Sequence, residues 1–113
     1  MGEQTTFDRV VSHLRRQNAR AMGAFGLCLY RAANGRRCAV GCLIPDNKYS
    51  QLLEGQSLEL ESSTELRAIL EAEGHDVSLV RQLQMIHDTV LIHHWETEFE
   101  KLAGKFKLDF HHK

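Results

Sequence analysis

The stretch from Cys28 to Asp46, CLYRAANGRRCAVGCLIPD, constrains the fold more than any other. It holds all three cysteines and the only proline of the chain. Residues 27–31 and 36–41 read as two strands, because aromatic and β-branched residues fit a pleated surface. Ala32-Ala33-Asn34-Gly35 joins them, and Asn34 and Gly35 tolerate the left-handed conformations of a tight turn. A two-residue type I′ turn and a type I turn with a glycine bulge both fit. The bulge is preferred, since it gives the positive φ to Gly35. In that register Tyr30 faces Cys38, Cys28 faces Val40, and Arg31 pairs with Arg37. Side chains alternate by two, so Cys28, Tyr30, Cys38, Val40 and Cys42 share one face. A one-residue slip would scatter that cluster.

Pro45 cannot continue a central ladder and biases Ile44 towards extended backbone. Asp46 then reads as the N-cap of a short helix, Asn47 to Glu54, stopped by Gly55. Tyr49, Leu52 and Leu53 would be its apolar stripe.

Helical spacing recurs on both sides of this block. Residues 6–22 carry Phe7, Val10, Val11, Leu14 and Ala21 on one face, with Thr5 and Asp8 as a weak capping box and Gly23 as the stop. Arg9, Arg16 and Arg20 fall on the outward face, as a solvated surface or a small basic patch for an acidic partner or phosphate. Gln56 to Glu61 alternates Leu58 and Leu60 with polar residues, as an edge strand or a loop. Ser62 or Ser63 caps a helix that buries Leu66, Ile69 and Leu70 and ends at Gly74. Another starts near Asp76, with Ser78 as the alternative cap, and buries Leu79 or Val80, Leu83, Ile86 and Val90. A last helix, about 92–105, buries Trp95, Phe99, Leu102 and Ala103. Residues 105–113 alternate Phe106, Leu108 and Phe110, as an edge strand, a partner-docking segment or a frayed tail. Stripes of this kind bury best on a small antiparallel hairpin sheet packed under four to five helices, an α+β single domain over residues 1–113.

At 113 residues the chain has room for one core. A formal net charge of −1 gives no overall electrostatic case for nucleic acid or a membrane. No apolar run reaches the length of a membrane span, and MGEQTTFDRV lacks the apolar centre of a signal peptide. An odd number of cysteines without a secretion signal points to reduced thiols in a cytoplasm, bacterial or of an infected host.

Four constellations carry the chemistry to be weighed. Cys28, Cys38 and Cys42 with one of His75, His87 or His93 make a Cys3His set for zinc. Only Cys38 and Cys42 approach the usual knuckle spacing, and cysteines of this kind are commonly core residues. Cys38 or Cys42 with His87, oriented by Asp88 or Asp46, makes a thiol nucleophile, though no glycine-rich elbow accompanies it. His87-Asp88 and His75-Asp76 echo dipeptides of metal-dependent phosphohydrolases, and each Asp also serves as a local hydrogen-bond acceptor. Finally, Asp46, Tyr49, Glu54, His87 and Asp88 line one groove where the hairpin meets a helix, as a binding surface. Trp95, Phe106 and Phe110 would leave an apolar C-terminal patch suited to self-association.

The string Cys-x-Tyr-Arg, Gly-x-x-Cys-Ala-Val-Gly-Cys-Leu-Ile-Pro-Asp, Tyr49, Glu54-Gly55 and Leu83-Gln84-x-Ile86-His87-Asp88 resembles a family of small uncharacterised proteins of bacteria, their phages and prophages. The resemblance runs from Phe7 to about Leu108. The run from Val90 to Trp95 is more apolar than the family pattern, and Leu108 to Lys113 looks like an extension. The resemblance assigns no activity, cofactor or catalytic residue. It implies a mobile-element role, and with a short chain lacking a complete catalytic signature it leads to a protein-interaction module acting on a host factor. The rival is a small Cys/His enzyme or zinc protein centred on Cys38, Cys42, His87 and Asp88.

Overall fold

The computed structural model describes residues 2–23, 29–56 and 65–112. Among these the chain is mostly helical, with four α-helices: α1 Glu3–Gln17, α2 Glu65–Ala72, α3 Val77–Thr89 and α4 Trp95–Phe106. Helix α3 is the centre, packing against α1, α2 and α4. Phe7, Val10 and Leu14 of α1, Leu66 and Leu70 of α2, Leu79, Val80 and Leu83 of α3, and Phe99 of α4 meet in one wholly buried core. Cys38, Ala39, Val40 and Leu53 join it from the loop region.

The helix ends follow local chemistry. The Asp76 carboxylate accepts from the Ser78 and Leu79 amides at 2.9 and 3.2 Å, so α3 starts where the cap residue predicts. Helix α2 ends through Gly74 at φ +84°, with the His75 amide reaching the Leu70 carbonyl. Helix α4 ends in the same way at Lys107, φ +57°. Helix α1 is shorter than the 6–22 expectation. Asn18 takes the left-handed conformation at φ +47° and stops the helix well before Gly23. Gly2, not Thr5, is its N-cap.

The α+β expectation is overturned: among the described residues there is no sheet. The turn itself forms in the expected register, with an antiparallel bridge between Arg31 and Arg37 and Gly35 at φ +85°. Pairing stops one residue further on. The Cys38 amide donates to the Tyr30 carbonyl at 3.2 Å, but the Val40 amide turns to the Gln84 side chain of α3 at 3.0 Å. Residues 39–43 then coil into a 3-10 turn, Gly41–Leu43, rather than extending a ladder. The reason lies in Gly41, where a Cβ would sit 1.7 Å from the Tyr30 carbonyl oxygen. The two segments cross at contact distance there instead of running side by side.

The helix expected over 47–54 is likewise replaced by two short 3-10 turns, Asp46–Lys48 and Gln51–Gly55. Expectations for residues 24–28, including Cys28, and for 57–64, including the Leu58–Leu60 alternation and the Ser62 or Ser63 cap, lie outside the described residues. Among the described residues no helix is long and apolar enough to cross a membrane.

Candidate functional site: a basic cleft between α1 and the turn

Three of the residues expected to form a binding groove do meet, but they hold the turn in place. The Glu54 carboxylate accepts the Tyr30 amide at 2.9 Å, the Arg31 amide at 3.1 Å and the Tyr49 hydroxyl at 2.5 Å. Arg31 lies over the Tyr49 ring, 4.6 Å from its centroid, and donates to the Ile44 carbonyl and to Asp46. The Tyr30 hydroxyl donates to the Gln56 carbonyl, and the Gln56 side chain accepts the Leu66 amide of α2. Burial, then the nearby Cys38, Glu54 and Asp88, push the Tyr30 phenol up to about 12. Burial, then the hydrogen bond to Glu54, does the same for Tyr49, to about 12.

His87 and Asp88 form a second internal node. The His87 ring is wholly buried and stacks on Trp95 at 6.0 Å. Its Nε2 accepts the Ala21 amide at 3.1 Å, which places a proton on Nδ1, donated to Asp88 at 2.7 Å. Asp88 also accepts from Gln84 at 2.8 Å. Arg20, read from the sequence as an outward cation, instead donates to the carbonyls of His87 and Val90 at the end of α3. This satisfies carbonyl groups that a helix end leaves open.

The cysteines sit in two environments. Cys38 is wholly buried, its Sγ accepting the Gly41 amide at 3.3 Å, and burial pushes its thiol far above the ordinary range. Cys42 donates to the Ala39 carbonyl at 3.2 Å. Burial drives its thiol up to about 11, against the pull of Arg9, Arg37 and Arg16. Neither is a thiolate near neutral pH, and both imidazole nitrogens of His87 already have partners. Among the described residues no three His, Cys, Asp or Glu side chains gather to hold a metal ion. His75 lies elsewhere, with its Nδ1 on the Thr6 hydroxyl at 2.7 Å, while His93 and His94 are exposed. Trp95 is buried, and Phe106 and Phe110 pack against the core, so the apolar C-terminal patch is largely covered.

The open site is one that the sequence reading described only in part. A cleft of about 670 Å³ runs between α1 and the turn, lined by Asp8, Arg9, Ser12, His13, Arg16, Gly35, Arg37 and Cys42. Arg9, Ser12, His13 and Arg16 share a helix face because they recur three and four residues apart. The opposite wall is brought in by Gln17, whose carboxamide bonds both the amide and the carbonyl of Arg37 at 2.8 Å. His13 Nε2 reaches the same carbonyl at 2.9 Å. Burial chiefly, and then the charges of Arg16 and Arg37, hold the His13 imidazole below its ordinary range, against the hydrogen bond to the Arg37 carbonyl. Arg37 pairs with Asp46 at 3.4 Å, a carboxylate that is 78% exposed.

The spacing of Arg9, Ser12 and Arg16 was visible in the sequence. The arrival of Arg37 opposite them was not, because it depends on Gln17 acting as a backbone partner.

Among the described residues, four helices around a loop-bound core, with a basic cleft on the first helix, define the kind of molecule this is. No family model, no curated protein and no solved structure matches the chain.

Proposed function

We propose that this chain is a small protein-interaction module whose α1–turn cleft holds an acidic part of a partner. Following the resemblance to phage and prophage proteins, the partner is a host factor. The observation that carries the reading is the cleft itself, a cavity of about 670 Å³ lined by Arg9, Arg16 and Arg37. Charge complementarity of this kind steers partners and fixes specificity. The Glu54 and His87–Asp88 clusters are taken up by hydrogen bonds that hold the fold, so the Cys/His enzyme reading has no comparable support.

The test is binding of a fluorescent glutamate-rich peptide, read by anisotropy. The expected result is saturable binding that weakens at least about tenfold in an Arg16→Ala/Arg37→Ala variant, the loss of about 1.4 kcal/mol. It should weaken again as salt is raised and the cleft is screened. Equal binding by the variant would overturn the assignment to this cleft.

A further inference from the structure

We infer that the cleft is a phosphoryl site, taking a phosphate monoester on a serine or threonine of the partner protein. This rests on the acidic-partner reading above and narrows it to one chemical group.

The donor set favours phosphoryl over carboxylate. Among the described residues, Arg9, Arg16 and Arg37 line one cavity against one lining carboxylate, Asp8. A carboxylate offers two oxygens and one charge, which one guanidinium fork satisfies. A phosphate monoester carries about −1.5 to −2 charge near pH 7 and three acceptor oxygens, enough for several forks at once. Guanidinium groups match phosphate bidentately and stay charged at any working pH. Ser12, one turn from Arg9 and Arg16 on the same face, adds a hydroxyl donor.

The walls are set for this. Arg9 and Arg16 are two helical turns apart, roughly 10 Å along the axis at 1.5 Å per residue. Both line the cleft, Arg9 towards one end of it and Arg16 towards the other. Arg37 closes it from the turn, where its backbone is fixed at both its amide and its carbonyl by Gln17. Its side chain is held less firmly. The 3.4 Å pair with Asp46 is exposed, and exposed pairs are weak enough for a dianion to displace. The one lining carboxylate, Asp8, accepts the Gln4 carboxamide N–H at 2.9 Å.

Nucleic acid fits less well. Among the described residues no Phe, Tyr or Trp lines the cleft to stack a base, and the His13 ring is tied to the Arg37 carbonyl. The chain as a whole carries a net charge of −1, not the basic excess that is the usual footprint of a nucleic-acid-binding domain. A pocket-sized cavity suits one phosphorylated side chain and its neighbours.

The test uses the intact 15N-labelled protein and three probes. Inorganic phosphate should shift the amide signals of residues lining the cleft, and a phosphoserine peptide library should shift the same set at lower concentration. The phosphoserine library should bind at least about tenfold more tightly than the same library carrying glutamate at the fixed position. Arg16→Lys, which keeps the charge but loses the fork, should narrow that preference while leaving the thermal midpoint unchanged. Equal affinity for the phosphoserine and glutamate libraries would overturn the phosphoryl assignment and leave the acidic-partner reading standing. Binding of neither library would overturn both. A single-stranded oligonucleotide that bound more tightly than the phosphoserine library, with a steep salt dependence, would overturn the assignment in favour of nucleic acid.

Discussion

Gly41 shows how one residue decides what a turn can become. Its α-carbon lies against the Tyr30 carbonyl so closely that any side chain would collide with backbone, which cannot swing aside as a side chain can. The contact lets the Tyr30 carbonyl reach the Cys38 amide while the chain curls away through Cys42. Gly41→Ala should therefore be severe, costing about 2 kcal/mol or more through overpacking. A drop in the denaturation midpoint checks it, and an unchanged midpoint would mean that the crossing is looser than the structure has it. In the sequence this glycine reads as the last residue of a strand. Nothing in Ala-Val-Gly-Cys distinguishes a glycine needed for close approach from one that merely ends a strand. Gly35 and Gly74, by contrast, stand where turn chemistry and a helix stop call for positive φ, and both adopt it.

At the scale of elements, the sequence was most informative where an apolar stripe coincided with a cap. Asp76 and the stripe Leu79, Val80, Leu83 and Ile86 place α3, and Trp95, Phe99, Leu102 and Ala103 place α4. It was least informative where a side chain supplied what another strand would have supplied. Gln84 takes the Val40 amide and Gln17 takes both backbone groups of Arg37, so a hairpin that would otherwise lengthen is held by two helices. No periodicity predicts a glutamine acting in that way. The cleft shares this origin, since only its α1 wall has a sequence signature.

The tail offers a related lesson. Its alternating Phe106, Leu108 and Phe110 resemble an edge strand, yet Phe106 closes α4, the Leu108 amide bonds back to Ala103, and Asp109, Phe110 and His111 lie against α1. Gln4 exchanges two hydrogen bonds with the Asp109 backbone, at 2.8 and 3.1 Å. Arg15 grips Glu96 with both arms of its fork at 2.6 and 2.8 Å, donates to the His111 carbonyl, and lies over Phe110. Arg15→Ala should release the tail and cost roughly 1 kcal/mol, the upper range for a partly exposed pair. Faster amide exchange at Asp109, with the α2 and α3 amides unaffected, is the outcome to look for. Protection retained at Asp109 would show that Gln4 alone holds the tail.

For the whole molecule, the buried ionisable groups set a pH window. His13 and His75 are both held below the ordinary imidazole range, chiefly by burial. The unfolded chain therefore takes up protons first as the pH falls through about 6.5, and stability declines with it. At the other extreme the unfolded chain loses thiol and phenol protons from about pH 9 to 10. The folded chain keeps that of Cys42 to about 11 and those of Tyr30 and Tyr49 to about 12. Proton loss thus favours the unfolded state there, and stability falls again as the pH rises. Urea midpoints measured across the range should trace a plateau between these limbs. A midpoint that rose from pH 7 to pH 5 would contradict the burial of the two imidazoles.

The bonds from Arg20 and Ala21 to the last turn of α3 join points 66 to 70 residues apart, well over half of the chain. A helical protein usually assembles quickly because its contacts are local. Here the end of the third helix is finished by a segment that leaves the ribosome long before it, and a large loop must close before either is complete. A nascent chain released before residue 90 would lack the α3 groups to which Arg20 and Ala21 bond.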